Sequence, residues 1–470
     1  MSPPPISNNN IPPVNNGDYN KWQIMIVVAF GTIAAILSGN SLTVAVPALV
    51  KYFGLGTNSV QLVVTAFLMA NTVSMLPSPW LIERYGLRHC FIAAIFLLMI
   101  SSVLGAISPN FYMLLGMRIL QGCAAGMLMP MGAIIVMHWF PFEEQGRAQG
   151  LLGFGIILAP AMAPAIGGLL IDHFGWQAVF LMSLPFCAIA WPTALRYLPN
   201  EISAEHHDFD WRGAAALFLM TVSLLGFAST IHGGHGALWW SGSQGLLALA
   251  SLAWFLRHAR SHHYAIVKLA VFAYKPAIMG LIVSFVFGFG VYGSSYLIPV
   301  YLQSVLGLSA TQSGGVLVPG GMVLAISMPL AGWLSDHSQP RLISVTGLLL
   351  FSLSFFGIWH YSSDISYRAL LLLTVLGRIG ISLLSASLIQ AALGGLHDTS
   401  LRGQSAMLMS YLRMLGGLLG VALIAVFIEW RTTSLGSTSL ASAHAYNEGF
   451  LFSAIIMLLA MVAAWRMKAN

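Results

Sequence analysis

Apolar runs of about 20 residues, each ended by a charged or turn residue, recur along almost the whole chain. As a helix rising about 1.5 Å per residue, such a run matches the roughly 30 Å hydrocarbon thickness of a bilayer. The repetition restricts the fold more than any single motif does. Of 470 residues, 57% are apolar and 7% are charged, whereas soluble domains carry about 25% charged residues. The chain therefore cannot clothe itself in a water-facing surface. That excludes a soluble enzyme, a nucleic-acid-binding domain and a secreted disulfide scaffold.

The net charge of +6 does not point to nucleic acid, because the basic residues are scattered through short loops. Cys90, Cys123 and Cys187 lie in or at the ends of apolar runs and read as small buried side chains without metal-ligand spacing. No loop offers a nucleophile, base or metal cluster of recognisable spacing. The sequence thus calls for no enzyme, no cofactor and no metal.

The runs predict an all-α polytopic membrane protein with spans at 22–49, 58–81, 89–108, 111–138, 147–171, 176–197, 213–232, 241–257, 276–300, 310–334, 342–360, 367–390, 404–428 and 448–466. The expected count is 14. A count of 12 stays open, because IHGGHGALWWSGS separates two modest runs at the seventh and eighth positions. With the amino terminus inside, 14 of the 20 Lys and Arg residues fall in inner loops and tails and 3 in outer loops, while Arg118, Arg378 and Arg413 fall within spans. By the positive-inside rule both termini are cytoplasmic. Residues 1–20, rich in Pro and Asn, read as a disordered cytoplasmic tail, with no cleavable signal expected.

The longest inner connections, 198–212 (with EISAEHHDFD) and 258–275 (with HARSHHYAIVK), flank spans seven and eight. This divides the chain into a six-helix half at 21–197, a linker with two extra helices at 198–275, and a second six-helix half at 276–470. An internal repeat agrees. PSPWLIERYGLRH follows span two and PLAGWLSDHSQPR follows span ten, while MRILQG and GRIG place Arg118 and Arg378 in the fourth span of each half. Duplicated halves are a usual build for secondary transporters.

Four stretches carry a family resemblance. PWLIERYGLR keeps Leu81, Arg84, Gly86 and Arg88 of a loop motif whose Gly and Asp are here Pro79 and Glu83. Leu114, Arg118, Gln121 and Gly122 match a fourth-span Leu-x-x-x-Arg-x-x-Gln-Gly. Ala163, Pro164, Ala165, Ile166, Gly167 and Gly168 match a fifth-span Gly-Pro-x-x-Gly-Gly, and RMLGGLLGVAL from Arg413 matches a thirteenth span. On these the sequence resembles the major facilitator superfamily, and within it the 14-span drug:proton antiporters of the EmrB/QacA type. The resemblance covers nearly the whole chain after residue 20. It implies export of hydrophobic or amphipathic small molecules across the bacterial cytoplasmic (inner) membrane by proton antiport and alternating access. Protons, the lipid bilayer and a periplasmic adaptor are the implied partners. One departure matters: LSGNSLTVAVP puts Ser38 where the 14-span exporters carry an intramembrane Asp.

An Arg at bilayer depth costs on the order of 2.5–3.5 kcal/mol on insertion scales and so needs an interior role. The resemblance makes Arg118 a cavity residue linked to proton exchange; the plainer reading is an Arg tied to neighbouring carbonyls, holding spans together. Arg378 and Arg413 carry the same two readings. Asn40, Asn71 and Gln121 are polar, uncharged residues within first-half spans, and face either a cavity or another helix. By resemblance Glu83, Arg84, Gly86 and Arg88 form a gating loop with Asp336 and Arg341 as its second-half counterpart; by composition alone they are a positive-inside loop. Pro160, Pro164, Gly167 and Gly168 suit a helix that bends and rocks at the interface of the halves; the plainer reading is ordinary small-residue packing. An Arg stays protonated and cannot itself carry a proton. The proton-coupling candidates are therefore His138, Asp172 and Glu429. The alternative on the same fold is a uniporter or importer of a metabolite or siderophore-like anion.

Overall fold

The computed structural model describes residues 20–55, 57–199, 208–230, 235–262, 265–308, 310–361, 365–396, 398–436 and 439–467. Among them the regular structure is all helical, with no strand. The elements are α1 (Lys21–Phe53), α2 (Thr57–Ser74), α3 (Ser78–Tyr85), α4 (Leu87–Ala106), α5 (Phe111–Trp139), α6 (Phe142–Phe174), α7 (Gln177–Leu181), α8 (Leu184–Tyr197), α9 (Trp211–Thr230), α10 (His235–Ser261), α11 (Lys275–Ser304), α12 (Ala310–His337), α13 (Pro340–Tyr361), α14 (Tyr367–Leu393), α15 (Thr399–Ser434) and α16 (Ser439–Trp465). A short 3-10 turn at Leu269–Ala273 leads into α11.

In hydrocarbon every backbone N–H and C=O must be satisfied within the segment, so apolar runs of this length become helices. Polar residues mark where they start. The Asn20 side chain accepts from Trp22 N at 3.0 Å, Asn110 Oδ1 accepts from Met113 N at 2.8 Å, and Ser366 Oγ accepts from Ala369 N at 3.2 Å. Gly86, at φ 80°, makes the sharp link between α3 and α4 that an L side chain resists.

Among the described residues ten helices are long and apolar enough to cross a membrane, and eleven if α2 and α3, bent by 55° at their junction, form one broken span. The expectation of fourteen is not met on that measure. The reason lies in composition. The shorter apolar helix Trp211–Phe227 is what α9 offers, and α10 opens on HGALWWSGSQG, whose glycines and polar residues dilute its hydropathy. In α6 the side chains of 154–165 lie outside the described residues.

Burial gathers into separate cores. One is built from α1, α2, α4, α5, α6 and α8 around Phe67, Phe91 and Met131. A larger one runs through α9–α16 around Phe351, Tyr411 and Phe450, so α9 and α10 share the core of the second set of helices. Between the sets, α6 lies along α12 and α14, and α15 lies against α5, α2 and α3.

Candidate functional site

Arg118 sits two turns into α5 and is 1% exposed. Its Nη1 donates to the Ser38 carbonyl on α1 at 2.8 Å and to Gln121 Oε1 at 2.8 Å, and its Nε donates to the Val63 carbonyl on α2 at 3.3 Å. The guanidinium lies 4.3 Å from the centre of the Phe67 ring and 5.9 Å from that of Phe180, close enough for cation–π attraction. Gln121, one helical turn on, donates through Nε2 to Ser102 Oγ of α4 at 2.8 Å, and Ser102 meets Ser183 at 3.3 Å. One buried polar chain thus ties together α1, α2, α4, α5 and the turn before α8.

The chain is not closed. Arg118 Nη2, Ser38 Oγ and Asn71 Oδ1 are buried without a hydrogen-bond partner among the described residues. A buried donor left unmade costs on the order of 1–3 kcal/mol, more when charged. An acceptor that reached Nη2 would recover that cost. The carbonyl-tied Arg that sequence allowed is therefore present, and it keeps one amino group in reserve.

Of the other cavity candidates, Arg378 and Arg413 belong to the second set of helices. Arg413 is half-buried on α15 and lines a cavity of about 10 Å³ with Ser284, Ser385 and Ser410. Arg378 on α14 is half-buried beside Gly320 of α12. Asn71 is buried on α2, where its backbone crosses Gly126 of α5 closer than any side chain at that glycine would permit. The side chains of Asn40, His138, Pro160, Pro164 and Asp172, like Gly168, lie outside the described residues, and Gly167 is buried. Glu429 is exposed near the end of α15. Nearby Glu448 of α16 forms a two-pronged ion pair with Arg431, its Oε1 2.7 Å from Nη2.

At one end of the bundle α6 and α12 touch backbone to backbone. A Cβ on Gly146 would lie 2.5 Å from the Gly332 carbonyl, and one on Gly332 would strike the Gly146 carbonyl. Gly150 faces the Met328 carbonyl in the same way, and Gly153 faces the Met328 side chain. Asp336, at the close of α12, crowns this seam. Its Oδ1 accepts from Gly146 N at 2.6 Å, its Oδ2 accepts from Arg147 N at 2.9 Å, and Arg147 Nε stands 3.7 Å away. A carboxylate near the start of a helix also gains from the helix dipole. At the same end Lys21 bridges to Glu144 at 2.5 Å, tying the starts of α1 and α6.

The proposed gating loop divides. Glu83 lines a cavity of about 30 Å³ together with Trp80, Phe209, Asp210, Ile266 and Gln404. Arg84 lies over the Trp80 and Tyr85 rings at 5.3 and 5.8 Å. Arg88 is half-buried at the start of α4. Arg341 does not join Asp336: it lies on α13, 5.0 Å from the Trp465 ring. Sequence reasoning missed Ser102, Ser183, Phe67 and Phe180, because such residues are ordinary in apolar helices. It also missed Asp210, which is 4% exposed at the start of α9. Burial pushes the Asp210 carboxyl up, but hydrogen bonds from Gly213 N, His258 and Ile266 N outweigh it and hold the group below the usual carboxylate range.

A family model for the Major Facilitator Superfamily matches residues 28–421. The chain belongs to the Major Facilitator Superfamily. Its members are membrane transporters rather than enzymes, and bind small-molecule substrates within the membrane. The chain is 26% identical over 446 residues to the riboflavin transporter RibZ of Clostridioides difficile (strain 630), covering 94% of this chain and 96% of that one. It is 25% identical over 475 residues to the lincomycin resistance protein LmrB of Bacillus subtilis (strain 168), covering 96% of each. The solved structure of the proton:xylose symporter XylE covers 93% of this chain and 95% of its own, with a TM-score of 0.65 at 14% identity, a likeness of fold.

Proposed function

We propose that this superfamily member exports hydrophobic or amphipathic small molecules across the bacterial inner membrane by alternating access coupled to protons. In this reading the chain has the 14-span arrangement of the EmrB/QacA type, with halves at 21–197 and 276–470 and an inserted pair within 198–275. Both termini are cytoplasmic, and a periplasmic adaptor can extend the pathway. The observation that carries the proposal is the seam between α6 and α12. Two glycines in direct contact and one carboxylate on two backbone N–H groups make a junction that is tight when shut, yet holds few bonds to break. Opening it exposes the interior to that side; closing it turns access to the other. Similarity to the lincomycin resistance protein supports small-molecule export.

Arg118 then serves as the fixed positive group of the first half, and its spare Nη2 is the donor that cargo or a cargo-linked water engages. Ser38 at the place of the family's first-span Asp leaves no counter-charge for a cationic drug there, so neutral or anionic cargo suits the site. The same feature, with the likeness to a riboflavin transporter, favours a second reading, a uniporter or importer of a metabolite anion.

Inverted membrane vesicles separate the two. With an amphipathic fluorescent dye outside and a pH gradient imposed, the export reading predicts dye accumulation that collapses when an ionophore removes the gradient. Equilibration at the same rate with and without the gradient would replace it with the uniporter reading.

A further inference from the structure

The connections around α9 and α10 hold a cluster that transport through the bundle does not use. His258 and His262 lie four residues apart, on the last turn of α10 and just past its end, which sets them on one side of the chain. Asp210, just before α9, faces them. One donor atom from each residue can be chosen so that all three lie within 4.8 Å of one another, and His258 Nε2 is 2.8 Å from Asp210 Oδ1.

The surroundings fix two of the three donors. Gly213 N donates to Asp210 Oδ1 at 2.8 Å and Ile266 N to Oδ2 at 3.1 Å, so the carboxylate is held from behind by the backbone. The His258 ring stacks flat on Trp254, with centroids 5.4 Å apart and planes 7° from parallel, and the His262 ring follows at 5.0 Å. Exposure rises in order: Asp210 is buried, His258 is half-buried and His262 is exposed. A cavity of about 330 Å³ opens beside His262. That gradient gives a dry anchor, a shielded middle ligand and a route in from solvent.

Two imidazoles and one carboxylate converging on a point are a ligand set suited to zinc, which takes N and O donors at about 2.0–2.2 Å and completes its shell with water. Outer groups that hold ligands in place are the usual complement of such a centre. We propose that Asp210, His258 and His262 form a binding site for a divalent transition-metal ion of the zinc class. Neutral His258 offers its Nε2 lone pair once its hydrogen resides on Nδ1, and Asp210 Oδ1 then donates a lone pair to the metal where it had accepted that hydrogen. Arg260 and Lys268 line the cavity beside His262, so the three donors, not the field around them, do the holding. A bound ion would clamp the start of α9 to the end of α10.

The test uses the untagged full-length protein in lipid nanodiscs, stripped with a chelator and dialysed against zinc sulfate alone. The expected result is one zinc per chain, with affinity reduced at least about tenfold in His262→Ala. His262 is exposed, so that variant keeps its monodispersity and its metal-free melting temperature. Cobalt(II) in place of zinc should give a visible absorption band in the wild type that the variant lacks. A variant carrying His206→Gln, His207→Gln and His263→Gln, three histidines of the same sequence neighbourhood, should still bind one zinc. Absence of stoichiometric zinc in the wild type, unchanged binding in His262→Ala, or loss of binding in the triple variant would each overturn the assignment. None of these readouts involves transport, so the assignment and the transport proposal fail separately.

Discussion

Arg118→Ala should reduce transport more than about tenfold, the change expected from each 1.4 kcal/mol of lost stabilisation at the rate-limiting step. The truncation removes the donor to three acceptors at once, the Ser38 carbonyl, the Val63 carbonyl and Gln121 Oε1. Each buried group left unmade costs about 1–3 kcal/mol, so lower stability accompanies the loss. Arg118→Lys separates the two effects. It keeps the positive charge and most of the volume but lacks the planar fork that reaches two helices and a side chain together. If the fork matters, Arg118→Lys inserts and purifies as a monodisperse protein while its transport stays as low as that of the alanine variant. Wild-type flux from Arg118→Ala would remove Arg118 from the site.

Gly332→Val should block transport by a different route. The added side chain meets main chain, the Gly146 carbonyl and the backbone of Arg147, so no rotamer change relieves it and α6 must move off α12. Overpacking of this kind costs about 1–3 kcal/mol. Applied to one state of a two-state equilibrium, that shifts the populations about 5- to 150-fold. The protein would then stay open at this end, still able to bind cargo and unable to turn over. Gly116→Val is the control, because a Cβ there has nothing within 4 Å. It should transport like the wild type, and normal flux from Gly332→Val would show that the seam need not close.

Arg118 and Gln121 could be read from the chain alone, because a charge inside an apolar run has few reasons to be there and the residue one turn later is its natural partner. The rest of that polar chain could not. Ser102 and Ser183 are two serines among many in apolar helices, and only the packing of α4 against the turn before α8 gives them a role. The seam was half legible. Small residues in the fifth run pointed to close packing, and among the described residues backbone contacts fall on Gly146 and Gly150, at the start of that helix. Their partner Gly332 lies almost two hundred residues away, where local pattern carries no information.

Asp336 and Arg341, named together by resemblance as the second-half counterpart of the gating loop, lie apart: Asp336 sits on the α6–α12 seam and Arg341, on α13, lies over Trp465. Helix ends drifted as well. Hydropathy sees the apolar centre of α10, whereas hydrogen bonding carries the helix back to His235 through glycines and a Trp pair. The Asp210 cluster escaped because its members come from the start of α9 and the end of α10, and only the i, i+4 spacing of His258 and His262 hinted at it.

If access alternates at the α6–α12 seam, the distance across it has two values. Glu143 and Gln339 are exposed and flank the seam, one on the first turn of α6 and the other just before α13. Spin labels on Glu143→Cys and Gln339→Cys, in a chain whose half-buried Cys123 is replaced by serine, report their separation by pulsed electron resonance in nanodiscs. The expected result is a short distance that gives way to a second, longer one as pH is lowered or cargo is added, with the longer one enriched by Asp336→Asn. A single distance, the same at every pH, with and without cargo and in the Asp336 variant, would mean that the seam does not open.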